Sequence, residues 1–108
     1  IPFSIKRIFY IYDLKEKCVR VEHANKKSNF LLISLKGECD VYLNNGIKEK
    51  TVRLHKPNEG LLIKNMVWKN MLNFSSDALL LVLSDQYYDK DDYIYDFEDF
   101  LKKKKYEK

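Results

Sequence analysis

The chain has 108 residues, 45% of them hydrophobic and 14% aromatic, with a formal net charge of +4. That is room for one domain around one sizeable core, and too apolar for a disordered chain. No apolar run approaches the ~20 residues that span a bilayer, and the amino end has no signal-peptide pattern.

The charge excess gathers in "KKKKYEK" at the carboxyl end, where lysines suit the last turn of a helix and no nucleic-acid motif accompanies them. Neither a membrane nor a nucleic acid is expected as a partner, and a cytoplasmic location is. Ile1 rather than Met opens the chain, which is therefore expected to be cut from a longer one. Cys18 and Cys39 form no CxxC pair, so both are read as reduced and intracellular.

In chain order, "IKRIFYIYD" is rich in β-branched and aromatic residues and stops at Asp13, a turn former. "NFLLISL" follows, then a turn at Lys36-Gly37, then "ECDVYL" with Cys39, Val41 and Leu43 alternating. "NNG" at Asn44 to Gly46 tolerates positive φ and predicts a hairpin into "KEKTVRL". "HKPNEG" is another turn, with His55 expected to be exposed. "LLI", "MVWKNMLNF" and "ALLLVL" are read as three more strands, the last fully buried. The period changes only in "DDYIYDFEDFLKKKK", where Tyr93, Phe97, Phe100 and Leu101 recur at helical spacing. Short strands with frequent turns predict an all-β sandwich or barrel closed by one terminal helix.

His23 is the residue on which function turns. In "VRVEHANKK" it alternates with Asn25 across Ala24, so on a strand both point to one face. Together with the Pro-x-x-Gly turn of "PNEGLLIKNMVW", this resembles the cupin layout, in which a His-x-His strand and a later histidine build a metal site. Here Asn25 and Lys69 stand where further histidines are expected. A catalytic metal needs about three imidazole or carboxylate ligands, so no metal is predicted.

The wording of "IPFSIKRIFYIYD", "HANKK", "LLISLKGECDVYLNNG", "PNEGLLIKNMVW", "NFSSDALLLVLSDQYYD" and "DYIYDFEDF" resembles one family along nearly the whole chain. It is the WxcM-like group of metal-free cupins, the dTDP-4-keto-6-deoxyhexose 3,4-ketoisomerases. The resemblance implies a cupin-type jelly roll spanning residues 1–108, a homodimer, no cofactor, and a dTDP-linked keto-deoxy sugar as ligand. It also implies a role in supplying deoxyamino sugars for surface glycans such as lipopolysaccharide O-antigen. Members typically begin with an amino-terminal segment exchanged between subunits, which is expected to precede Ile1. This chain departs from the family pattern Arg-Gly-x-His-Ala-His-Lys in carrying Val21 for the glycine and Asn25 for the second histidine. Phe30 replaces a glutamine, and Lys69 replaces the histidine of a Trp-His pair.

Moving a ketone from C4 to C3 requires removing the C3 proton, an enediolate, and a proton returned at C4. An imidazole, with an ordinary pKa of ~6.5, suits the base, and His23 matches the family's first histidine. Asn25 can donate a hydrogen bond but cannot carry a proton. Tyr10 and Tyr12, on a strand the family places beside the site, are the candidates for that task. Arg7 and Arg20 are the candidate diphosphate contacts, since guanidinium donors suit phosphate geometry. Strict alternation sets Arg20 and His23 on opposite faces, and a bulge between them brings both inward. By the same match Lys26, Trp68 and Lys69 are assigned to substrate binding, although Trp68, Tyr87 and Tyr88 read by themselves as packing residues. Two functions fit: a 3,4-ketoisomerase, or a degenerate cupin that holds the sugar nucleotide, or pairs with an active homologue, without turnover.

Overall fold

The computed structural model describes residues 2–12 and 22–106. Nine strands run through it: β1 (Arg7–Tyr12), β2 (Ala24–Asn25), β3 (Phe30–Lys36), β4 (Cys39–Asn44), β5 (Glu49–Leu54), β6 (Gly60–Ile63), β7 (Trp68–Leu72), β8 (Leu79–Ser84) and β9 (Tyr93–Ile94). A short 3₁₀ turn at Lys90–Asp92 precedes β9, and helix α1 (Phe97–Lys105) follows it. One sheet has the order β1-β8-β3-β6 and the other β5-β4-β7, with β2 and β9 forming a separate pair. All pairings are antiparallel, and a two-way backbone bridge between His23 and Lys69 fastens the β2–β9 pair to the edge at β7. The result is the expected all-β, cupin-type jelly roll with a short C-terminal helix.

Period-two alternation fills the space between the sheets. Ile11, Phe30, Leu32, Ile63, Leu80 and Val82 from the first sheet meet Cys39, Val41, Leu43, Leu54 and Met71 from the second. Each such side chain contributes about 1.5–3 kcal/mol on burial. Cys39 is part of this core, and burial pushes its thiol up to about 11, so it stays protonated and unreactive. Cys18 lies outside the described residues.

The turns form as the sequence predicts. Gly46 has φ +92° in the β4–β5 hairpin, where the Asn45 carboxamide accepts from Ile47 and Lys48. Gly37 has φ +69°, and a Cβ there would lie 2.8 Å from the Ala78 Cα. His55 is exposed, as expected.

The carboxyl-terminal element is shorter than its helical spacing predicts. Asp96 caps the helix by accepting from the Glu98 N–H at 3.2 Å, so α1 starts at Phe97. Tyr93 belongs instead to β9, opposite Asn25. Helix α1 lies on the back of the second sheet, where Ala24, Met66, Trp68, Ile94 and Phe100 form a separate buried cluster. Its lysines behave as a solvated helix end, with Lys103 paired to Asp99 at 2.7 Å.

Candidate functional site

Register decides what faces the inside. Arg7 is opposite Ser84, and Ser84 is opposite Phe30, which puts the three in one row at one end of the first sheet. Across from that row, Lys69 is opposite Leu43 on one side and His23 on the other, so its side chain points between the sheets. His23 and Asn25 share that face because buried Ala24, packed on Trp68 and Phe100, occupies the opposite one. Tyr93, paired with Asn25, completes the inner wall.

The polar groups of this end form a connected system. The Lys69 Nζ donates to the Asn25 Oδ1 at 2.7 Å, and the Asn25 Nδ2 donates to Asp92 at 2.9 Å. Asp92 also accepts from the Ser28 hydroxyl and the Lys27 N–H, both at 2.6 Å. Asn25, Lys69 and Asp92 are 1%, 3% and 5% exposed, which makes every one of these contacts a condition of folding rather than an ornament of the surface. Burial pulls the Lys69 ammonium down from 10.5 to about 7, against the opposing pull of the Asp92 carboxylate. Burial by itself would raise the Asp92 carboxyl, but hydrogen bonds from Ser28, Asn25 and the Lys27 and Ser28 backbone outweigh it and hold it below its ordinary value.

The other half is aromatic and cationic. Half-buried His23 lies 5.0 Å from the Tyr93 ring and 5.9 Å from the Tyr95 ring, centroid to centroid. Tyr93 stacks on Tyr95 at 5.7 Å and lies 5.8 Å from Tyr88. The Arg7 Nη2 donates to the Tyr93 hydroxyl at 3.1 Å, and the guanidinium sits over Phe9 at 4.7 Å and beside Tyr88 at 5.4 Å. Its Nε is buried without a hydrogen-bond partner among the described residues. Arg7, Phe9, Tyr88 and Tyr93 line a cleft of about 420 Å³ that opens at this end. The Lys69 amine, hydrogen-bonded to Asn25, lies 4.8 Å from the Phe30 ring, and the Arg7 guanidinium lies 6.0 Å from the same ring.

The structure therefore brings together Arg7, His23, Asn25 and Lys69 from the sequence-predicted set. Arg20 lies outside the described residues. Tyr10 and Tyr12 do not reach the site: they are 54% and 65% exposed on the outer face of β1, because Arg7, Phe9 and Ile11 take the inward positions. Trp68 points out of the sandwich, since it alternates with Lys69. Its indole packs edge-on against Phe97 and donates to Glu22 at 3.2 Å. Lys26 is exposed on a different surface, beside Asn65, Lys102 and Lys103. Tyr87 and Tyr88 are exposed rather than packed, and Tyr88 guards the cleft mouth. Missing from the sequence-predicted set are Asp92, Tyr93 and Tyr95. Their signal is the alternation Tyr93-Ile94-Tyr95, a strand period hidden inside a longer helical one. Among the described residues no three His, Cys, Asp or Glu side chains gather in a metal-binding group.

Comparison with known proteins gives a consistent picture. A family model described as FdtA: WxcM-like, C-terminal, matches residues 1–105. The TDP-4-oxo-6-deoxy-α-D-glucose-3,4-oxoisomerase of Aneurinibacillus thermoaerophilus is 43% identical over 102 residues, covering 94% of this chain and 73% of that protein. The structure of WlaRA, a TDP-fucose-3,4-ketoisomerase from Campylobacter jejuni, superimposes with a TM-score of 0.93 at 46% identity, over 95% of this chain and 76% of that one. QdtA, a sugar 3,4-ketoisomerase from Thermoanaerobacterium thermosaccharolyticum solved in complex with TDP, gives 0.93 at 37% identity, over 97% of this chain and 77% of that one. A match that runs the length of the jelly roll, site strands included, leaves one conclusion: the chain belongs to the FdtA, WxcM-like family.

Proposed function

We propose that the chain is a sugar-nucleotide 3,4-ketoisomerase, converting a dTDP-linked 4-keto-6-deoxyhexose to its 3-keto isomer. The observation that carries this reading is that an imidazole and a buried arginine donor, the latter without a hydrogen-bond partner among the described residues, meet on either side of Tyr93. His23 is held by the bridge to Lys69, with its ring against Tyr93 and Tyr95. Arg7 offers its Nε at the wall of the cleft that Tyr93 also lines. A diphosphate oxygen would satisfy that donor, and the desolvated guanidinium makes the contact a strong one.

With the diphosphate at Arg7, the sugar reaches inward toward His23. His23 takes the proton from C3, the enediolate forms, and the same imidazole returns a proton to C4. The buried Lys69 ammonium supplies positive charge near the enediolate oxygens, in a site where few waters compete. No step calls for a metal or an organic cofactor. The working assembly in this reading is a homodimer in the cytoplasm, supplying a precursor for deoxyamino sugars of a surface glycan. The dimer rests on the apolar outer face of the first sheet, where exposed Ile8 and Tyr10 lie beside Leu81 and Leu83.

Incubation with dTDP-4-keto-6-deoxyglucose in deuterated water, followed by NMR, tests the reading. Deuterium is expected at the reacting carbons together with 3-keto product, and a chelator should leave the rate unchanged. TDP binding without any exchange would establish the degenerate-cupin alternative in its place.

A further inference from the structure

Asn25 and Lys69 both stand where the family pattern carries histidine, and in the structure the two touch. One replacement is thus built around the other: the amine fills the space against Asn25 that a second imidazole would occupy. A 3,4-keto shift has two proton movements, one from C3 to C4 and one from the C3 oxygen to the C4 oxygen. His23 accounts for the first. The second needs a group that can both give and accept a proton, which an asparagine amide cannot do.

Among the described residues, the charged and titratable groups around Lys69 are His23 across the bridge, Asp92 behind Asn25, Tyr93 on β9 and Arg7 beyond Phe30, while Tyr88 and Tyr95, against the Tyr93 ring, are exposed to solvent. Arg7 does not release a proton near neutral pH. Asp92 is screened from the cleft by Asn25 and saturated by Ser28 and Lys27. The Tyr93 hydroxyl is turned toward Arg7, at the phosphate end. Lys69 is left, its Nζ fixed by Asn25 at 2.7 Å and 4.8 Å from the Phe30 ring.

We propose that Lys69 is the second proton-transfer group of this enzyme, carrying a proton between the C3 and C4 oxygens of the sugar; this rests on the ketoisomerase reading above. The ammonium gives a proton to the C4 oxygen as His23 removes the C3 hydrogen, leaving a neutral amine, an imidazolium and an enediol. The imidazolium then protonates C4, and the amine takes the proton of the C3 hydroxyl as that carbon becomes the ketone. Both side chains end as they began. An amine that titrates at about 7 is matched to giving and taking a proton at neutral pH. Asp92, acting through Asn25, is a positioning residue whose charge favours the ammonium.

The test compares the full chain with Lys69→Met, Lys69→Arg and Asp92→Asn, using dTDP-4-keto-6-deoxyglucose across a pH series. Lys69→Met and Lys69→Arg should each lower kcat by about 10²–10⁴-fold while TDP still protects against thermal unfolding. Lys69→Arg keeps the cation and a donor for Asn25, so it separates loss of proton transfer from loss of packing. In the unmodified protein kcat should fall on the alkaline side as the ammonium is lost. Asp92→Asn should move that limb to lower pH, by about one unit, because a neutral neighbour no longer favours the charged amine. Unchanged kcat and an unmoved alkaline limb in both Lys69 variants would overturn the role of Lys69 and leave the isomerase reading intact. Absence of turnover by the unmodified protein would overturn both.

Discussion

At the scale of single residues, Lys69 and Asp92 link stability to pH in different ranges. The folded Lys69 amine titrates at about 7 instead of 10.5, so between those values the unfolded chain binds more protons than the folded one. Stability from this group therefore rises as pH climbs from about 7 toward 10.5 and is lowest once both states are charged, below 7. Subtracting the melting curves of Lys69→Met from those of the unmodified protein across that window should show the rise in the unmodified protein only. Asp92 has the opposite sign of partner: its lowered folded pKa stabilises the fold above the unfolded value of ~3.9 and is lost as pH falls through the folded value. Arg7 makes a third case. Its Nη2 donates to Tyr93, but its Nε is buried without a hydrogen-bond partner among the described residues, so in Arg7→Met the loss of one part-buried hydrogen bond is offset by removal of an unsatisfied donor. Such a variant should fold as well as the unmodified protein, while its KM for the sugar nucleotide rises at least tenfold; an unchanged KM would remove Arg7 from the phosphate site.

At the scale of elements, the site depends on packing behind it as much as on the cleft in front. Phe100 of α1 is fully buried against Trp68 and Ala24, the neighbours in sequence of Lys69 and of His23 and Asn25. Phe100→Ala should cost about 3–5 kcal/mol, and calorimetry would show it as a lowered melting temperature. This coupling of back and front explains what the sequence made legible. Period-two alternation marks β4, continuous apolar runs mark β3 and β8, and "NNG" marks the hairpin, because these signals are local. The β2–β9 pair is two residues long and joins segments more than sixty positions apart, so no local pattern announces it. The acidic, aromatic run before α1 carries both periods at once, and only the Asp96 cap resolves them. Tyr10 and Tyr12 show the same limit. A strand's alternation says that one set of side chains faces inward, not which set, and Arg7 and Phe9 hold those places. His23, Arg7 and Lys69 are legible as chemistry from their residue types and family match, whereas Asp92 enters only through its buried contacts.

At the scale of the whole molecule, the two faces of the first sheet differ in purpose. The inner face carries the core and the Arg7 row, and the outer face carries Ile8, Tyr10, Leu31, Ile33 and Leu81. Apolar surface of this kind is what the proposed homodimer would cover, two-fold pairing of identical faces being the commonest arrangement. Light scattering should give a dimer mass at micromolar concentration, and the double change Ile8→Glu with Tyr10→Glu should give a monomer. A monomeric mass for the unmodified protein with its full amino end would contradict the dimer.

The central claim is that His23 is the carbon base. Its most direct test follows exchange of the sugar's C3 hydrogen in deuterated water, for the unmodified protein beside His23→Asn, with TDP binding measured on both. The account predicts exchange by the unmodified protein, a fall of about 10²–10⁴-fold in His23→Asn, and TDP binding preserved in each. Exchange by His23→Asn at the full rate would contradict it.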